Sequence, residues 1–420
     1  MLPNSTCFLT KKSQSITFTE KINSISILHF ISAIRYSVKL GYKQLTIDFS
    51  KVKKVFPNGM LPILCAVDEL RNSDIKLYVK LPNNDETRRM FRSVNWAYYL
   101  SPDQFEKSES NYDRHLVTKR FENAEEQKLV VDDFMDVVLR NLQVPKDILS
   151  GLEWSINEIT DNVLNHSDSK FGGFIQASTQ TKEGKVVFAV ADSGKGILKS
   201  MQEGFPDLRT DLDAIGEAIK AGVTRNPKFG QGNGLAGTLR VTTQTDGSLE
   251  ILSGFGRLKV TPDETNRRKN SIRYNGTMVS GEINIKENFS ISEALDFKGD
   301  GQKYIPSNII DYKYESETED LLLLPMKSET TGFGSRKSGF QIRTKVKNLI
   351  NAKKGYPLII DWEGVPVISS SFADEMIGKL FLEMGAMSFS SIIRNVNMEQ
   401  LITNLLDKAV SQRLTQALDE

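Results

Sequence analysis

Three short stretches, in one order, constrain this chain more than anything else in it. The first is Asn157-Glu158-Ile159-Thr160-Asp161-Asn162-Val163-Leu164-Asn165-His166. The second is Asp192-Ser193-Gly194-Lys195-Gly196-Ile197, and the third is Gly230-Gln231-Gly232-Asn233-Gly234-Leu235. The first reads as the end of a helix. Leu152, Ile156, Ile159 and Val163 make one apolar stripe at helical spacing. Glu158, Asn162 and His166 share another face, flanked by Asn157, Asp161 and Asn165. Taken alone, a solvated polar face explains this pattern equally well.

The second stretch follows Val186-Val187-Phe188-Ala189-Val190-Ala191, an apolar run that predicts a buried strand ending at Asp192. Gly194 and Gly196 allow a sharp turn and a close approach of backbone to a ligand, which a Cβ would obstruct. Asp-x-Gly-x-Gly is also a common turn. The third stretch precedes a predicted helix, Ala236 to Thr242. Glycines ahead of a helix present unpaired N–H groups to a phosphate, assisted by the helix dipole. A flexible loop has the same composition. The run is not a Walker A loop, because no Gly-Lys-Ser/Thr follows, and no strand precedes it as a dinucleotide-binding fingerprint requires.

In this order and register, the three stretches resemble the N, G1 and G2 boxes of the GHKL ATPases, a superfamily of gyrase, chaperones, histidine kinases and anti-sigma-factor kinases. The resemblance covers roughly residues 126 to 287 and implies a pocket for ATP and Mg²⁺. It assigns the metal to Asn162, whose carbonyl oxygen would fill one place in an octahedral shell completed by waters and phosphates. Glu158, one turn earlier, would orient or deprotonate the attacking water or hydroxyl. Asp192 would accept a hydrogen bond from the adenine amino group. Thr277, in Gly276-Thr277-Met278-Val279, would hydrogen-bond near that Asp. Asn165, His166, Gly194, Gly196, Gly230, Gly232, Gly234 and Leu235 complete the implied nucleotide site. Residues 197 to 229 become the lid, and its Ala218-Ile219-Lys220-Ala221-Gly222-Val223-Thr224 is similar to lids of anti-sigma-type members. Arg225 and Lys228 are cations able to touch phosphate or simply to face water. Kinase-type members often carry Lys where Asn165 stands, which puts fast catalysis in doubt.

The flanks read as smaller α/β units. Residues 1–100 alternate strand and helix, with one helix expected over Asp85 to Leu100, 101–125 read as a linker, and 288–330 read as a connector whose acidic piece Tyr312 to Asp320 is expected outside any core. Residues 331–420 resemble a STAS-like domain, on Gly334-Ser335-Arg336, the strand ending at Asp361, and Ile368-Ser369-Ser370-Ser371-Phe372-Ala373-Asp374-Glu375. Leu358 to Val365 aligns without a gap on Leu45 to Val52, each preceded by Gly-Tyr, at Gly355-Tyr356 and Gly41-Tyr42. A divergent N-terminal copy is therefore expected. The fold expected is α/β (α+β), a central GHKL two-layer α/β sandwich with a mixed sheet, flanked by two STAS-like domains.

The chain has 420 residues, enough for two or three domains. Lys plus Arg number 54 against 53 Asp plus Glu, which leaves no overall footprint for nucleic acid or an anionic membrane. Only Cys7 and Cys65 occur, without metal-ligand spacing, so a reducing cytoplasmic setting is expected. No signal peptide is read at the N-terminus, and no apolar run approaches the roughly 20 residues of a membrane span. None of His29, His115 and His166 lies in a phosphoacceptor sequence, so a complete sensor histidine kinase is excluded.

Three functions remain open at this level. One is an ATP-dependent conformational switch with slow hydrolysis. Another is a Ser/Thr kinase of the anti-sigma-factor type, with Ser369, Ser370 and Ser371 as candidate acceptors, against which stands simple helix capping by Ser371. The third is a non-catalytic nucleotide sensor. The outer domains are expected to bind protein partners or a second copy as a homodimer.

Overall fold

A computed structural model of the protein describes residues 5–73, 75–108, 115–222, 232–297, 304–330 and 332–419. The fold is mixed α/β, with several sheets. It divides into two compact units, Met1–Phe134 with Gly151–Tyr304, and Met135–Ser150 with Ile305–Glu420.

The first unit opens with β1 (Cys7–Thr10), β2 (Ser15–Phe18), β3 (Lys21–Ile22), α1 (Ser26–Lys39), β4 (Gln44–Asp48), β5 (Lys54–Val55), α2 (Pro57–Arg71) and β6 (Lys76–Lys80). The strand order is β1-β2-β4-β6, parallel except for the β1–β2 hairpin. Next come α3 (Asp85–Ser93) and α4 (Trp96–Leu100), where the sequence predicts one helix. Asn95 divides them in the left-handed region, at φ 66°, a conformation Asn tolerates better than most residues.

The stretch read as a linker carries β7 (His115–Phe121), an edge strand of the central sheet. After it come α5 (Ala124–Asn141), α6 (Lys146–His166), β8 (Gly173–Gln180), β9 (Lys185–Asp192), α7 (Gly196–Met201), α8 (Asp211–Ala218), α9 (Gly234–Gln244), β10 (Ser248–Val260), β11 (Thr265–Asn284) and α10 (Ile291–Ala294). The central order is β10-β11-β9-β8-β7. The expected mixed central sheet is corrected here, because all four ladders are antiparallel. Short turns join β8 to β9 and β10 to β11, and a tight hairpin permits only antiparallel pairing.

α2 shows how this unit is built. Residues 59 to 68 of it are all buried. A helix that is apolar all round needs cover on every side. α2 has that cover, since one continuous core joins Phe18, Leu45 and Ile47 of the first sheet to Phe174, Ala189 and Met278 of the central sheet. On the other face of the central sheet, the apolar stripe of α6 is buried as its spacing predicts, at Leu152, Ile156, Ile159 and Val163. α9 crosses α6 closely, so a Cβ on Gly237 would come 2.1 Å from Trp154.

The second unit continues through a π-helical turn (Ile310–Tyr314), β12 (Leu322–Pro325), α11 (Met326–Glu329), α12 (Arg336–Ala352), β13 (Leu358–Asp361), α13 (Ser370–Ala373), a second π-helical turn (Asp374–Gly378), α14 (Lys379–Met384), α15 (Ala386–Ile392), β14 (Ile393–Val396) and α16 (Gln400–Asp419). Its sheet is β12-β13-β14, all parallel. Within the acidic stretch 312–320, read as outside any core, Tyr314 is buried. Its hydroxyl receives Lys345 Nζ at 2.7 Å, and Lys345 also pairs with Asp136 and Glu329.

The gapless match of the two strand segments extends to atomic detail. Asp48 Oδ1 accepts from Ser50 N at 2.8 Å, and Asp361 Oδ1 accepts from Glu363 N at 3.0 Å. The Val52 and Val365 amides donate to Phe49 and Trp362 carbonyls at 2.9 and 3.0 Å. Gly41 and Gly355 come after α1 and α12 with φ of 74° and 92°, the left-handed conformation that ends many helices. The parallel strand orders β2-β4-β6 and β12-β13-β14 also correspond.

Candidate functional site

α6 ends at His166, and the next residue, Ser167, anchors the site. Ser167 Oγ donates back to Val163 O at 2.6 Å, and Ser167 O accepts from Lys195 N at 2.7 Å. A Cβ on Gly194 would stand 2.1 Å from Ser167 O. The Asp192–Ile197 turn therefore lies directly on the end of the Asn157–His166 helix, and glycine at 194 is required by that packing.

Asp192 is buried at the end of β9. Its Oδ1 accepts from Gly194 N at 2.7 Å, and its carbonyl oxygen accepts from Tyr274 Oη at 2.5 Å. Burial pushes the carboxyl up to about 7, against the opposing pull of backbone donors at Gly194 and Thr277. Gly196 adopts φ 80°. Its neighbour Ile197 donates its amide to Ser253 Oγ at 2.9 Å. Ser253 Oγ in turn lies 3.0 Å from Gly276 O and 3.2 Å from Thr277 Oγ1. Gly276 has φ 117°, and a Cβ there would meet Asp192 O at 2.1 Å. Asp192, Gly194, Gly196 and Thr277, chosen from sequence, thus form one hydrogen-bonded cluster.

Sequence reasoning missed the two residues that knit this cluster, Ser253 and Tyr274. The signal for Ser253 was a hydroxyl directly after the apolar pair Ile251-Leu252, across from Thr277 in the β10–β11 register. Tyr274 had no comparable signal, because the polar run before Gly276 does not read as strand.

The third stretch meets the first at one point. A Cβ on Gly234 would lie 2.4 Å from Glu158 Oε2, so the first residue of α9 sits against the Glu158 carboxylate. Burial, with Asp161 adding negative charge nearby, raises Glu158 to about 7. Asp161 is itself held by Gln127 Nε2 at 2.7 Å. Asn233 Oδ1 accepts from Gly222 N at 2.8 Å, and Gly232 takes φ 73°. Asn162 and His166 are half-buried on α6 and Asn165 is exposed. Leu235 is half-buried at the start of α9. Gly230, Arg225 and Lys228 lie outside the described residues.

Among the described residues no three His, Cys, Asp or Glu side chains gather into a metal site. Mg²⁺ held by one amide oxygen, waters and phosphates needs none. The glycine at 234 leaves the Glu158 carboxylate uncovered where a side chain would displace it. No helix among the described residues is long and apolar enough to cross a membrane.

A family model described as a STAS-like domain of unknown function (DUF4325) matches residues 338–403, which gives the chain a C-terminal STAS-like domain. No curated protein matches the chain.

Proposed function

We propose that the first unit is a GHKL-type nucleotide-binding unit that takes ATP with Mg²⁺ and hydrolyses it slowly, as a conformational switch for protein partners in the cytoplasm. One observation carries this reading. The three stretches, separate in the sequence, meet through Gly194 on Ser167, the residue that follows the first stretch, and through Gly234 on Glu158, while Gly276 closes on Asp192 from β11.

In this reading Asp192 offers its carboxylate to the adenine amino group, with Thr277 and Ser253 fixing its orientation. Asn162 supplies the amide oxygen for Mg²⁺, which lowers the charge on the phosphates. Glu158, one helical turn away, receives the proton of the attacking water. A carboxyl with a pKa of about 7 is matched to that task near neutral pH. Asn165, where a Lys would add counter-charge, keeps turnover slow. The segment after Gly196 serves as the lid that closes over phosphate. The N-terminal copy of the β12–β14 topology is read as a divergent STAS-like domain, and the STAS-like parts as the partner-binding or homodimerising elements.

Glu158→Gln separates an enzyme from a sensor. Phosphate release should fall by about 10²–10⁴-fold with ATP binding retained, the range expected for loss of a general base. Unchanged release contradicts the role of Glu158. Kinase activity on Ser369–Ser371 is the less favoured reading, because Ser369 Oγ already accepts from Phe372 N at 3.0 Å and bonds Ser371 Oγ at 2.9 Å. It is Ser369, and not Ser371, that caps the helix.

A further inference from the structure

Bordering the cluster at Ser193 and Tyr274, the first unit contains a pocket of about 200 Å³ at the junction of α1, α2 and β11. Its walls are two helix faces of matching design. Ile31, Ile34 and Arg35 stand at i, i+3 and i+4 on α1, and Ala66, Glu69 and Leu70 stand at i, i+3 and i+4 on α2. Each face presents two apolar side chains and one charge, and the two charges are opposite. Arg35 and Glu69 are exposed at the rim, while Ala66 and Leu70 are buried. Arg35 spends Nη2 on the Arg273 carbonyl at 3.3 Å, which leaves the rest of its fork for another acceptor. Ser193, Tyr274 and Asn275 complete the lining.

We propose that this pocket binds a small zwitterion with an apolar body, of the class of a free aliphatic or aromatic α-amino acid, and that its occupancy alters nucleotide affinity. The size fits, since a protein cavity of about 150 Å³ accepts benzene. A carboxylate pairs with Arg35, an ammonium with Glu69, and the side chain lies on Ile31, Ile34 and Leu70. The link to the nucleotide is short. Tyr274 lines the pocket, and its hydroxyl donates to the Asp192 carbonyl at 2.5 Å. Ser193 lines it too and is the next residue after Asp192. A ligand pressing on both shifts the residue assigned to adenine, which is a coupling free energy between two sites. This second clause rests on the nucleotide reading above, and the first does not.

The test is calorimetric titration of the full chain, without nucleotide, with L-leucine, L-methionine and L-phenylalanine in turn. Isoamylamine and 4-methylpentanoate, each lacking one charge of leucine, serve as controls. At least one amino acid should bind saturably and the controls at least about tenfold more weakly, as expected for loss of a charge-assisted bond. Arg35→Ala and Glu69→Ala, both exposed, should each weaken binding about tenfold, and Ile34→Trp should fill the pocket and abolish it. No binding by any of the three amino acids, or binding untouched by Ile34→Trp in a protein of parental melting temperature, overturns the site. With the amino acid at saturation, the affinity for a fluorescent ATP analogue should shift at least about threefold, within the usual range of coupling. An equal affinity overturns the coupling while leaving the site, and absence of any analogue binding to the parent overturns the nucleotide reading instead.

Discussion

Asp192 carries the sharpest residue-scale consequence. Its carboxyl is pushed from an ordinary 3.8 to about 7 by burial, so between those values the folded protein holds a proton that the unfolded chain has released. The contribution of Asp192 to stability is therefore greatest below about pH 4 and is lost as pH rises through about 7. In the nucleotide reading proposed above, binding should run the other way, because the charged carboxylate is the stronger acceptor for the adenine amino group. Affinity for an ATP analogue is expected to rise as pH climbs through about 7. Asp192→Asn keeps an acceptor for the Gly194 amide but cannot ionise, so its melting temperature should exceed the parent's at pH 8 and its binding should lose this pH dependence. Fluorimetric melting and titration at pH 6 and 8 check both. Asp192, Glu158 and the glycines were legible in the sequence because each belongs to a short pattern. Ser253 and Tyr274 were not, since their roles exist only once β10 and β11 pair across from Asp192.

At the scale of elements, periodicity was a good guide where one face meets one core. The α6 stripe spaced four, three and four is buried throughout. It failed where a single backbone conformation intervenes, as at Asn95, which breaks the expected helix 85–100. It also failed for the arm of β11 that precedes Gly276, although its partner Gly256–Thr261 reads as strand. There Arg267, Arg268 and Lys269 are exposed, and the polar run Thr265–Ser271 has no apolar alternation to mark a strand. The strand His115–Phe121 was hidden for a related reason, coming after a polar, aperiodic stretch. α2 carries the prediction at this scale. Because it is covered by both sheets, a fragment of residues 115–297 would expose Phe174, Ala189, Ala191, Leu252 and Met278. That fragment should aggregate or bind a hydrophobic dye, whereas the full chain should stay monodisperse. Size-exclusion chromatography distinguishes them, and a well-behaved monomeric 115–297 fragment contradicts the shared core.

On the scale of the whole molecule, two compact units imply two unfolding transitions. The second unit buries Lys345 completely, where burial lowers its pKa and Asp136, Glu329 and Tyr314 surround it. Burial alone would raise Asp136, yet Lys345 and Arg140 beside it bring its carboxyl below the ordinary range. Lys345→Met leaves these carboxylates without their buried cation and should cost the second unit about 3–5 kcal/mol. Calorimetry should show one transition lowered and the other unmoved. The duplicated topology was legible in the match of Leu45–Val52 to Leu358–Val365, because the Asp-ended strand and its turn are local. The dense charge packing around Lys345 was not, since its members are separated by up to 209 positions in the chain.

The most direct test of the central claim is incubation of the purified chain with Mg²⁺ and γ-labelled ATP, with Asn162→Ala as control, counting free phosphate and protein-bound label. The expected result is slow release of free phosphate, no stable label on the protein, and loss of release in Asn162→Ala. Release that Asn162→Ala leaves unchanged, or label retained on the protein in place of free phosphate, contradicts the account.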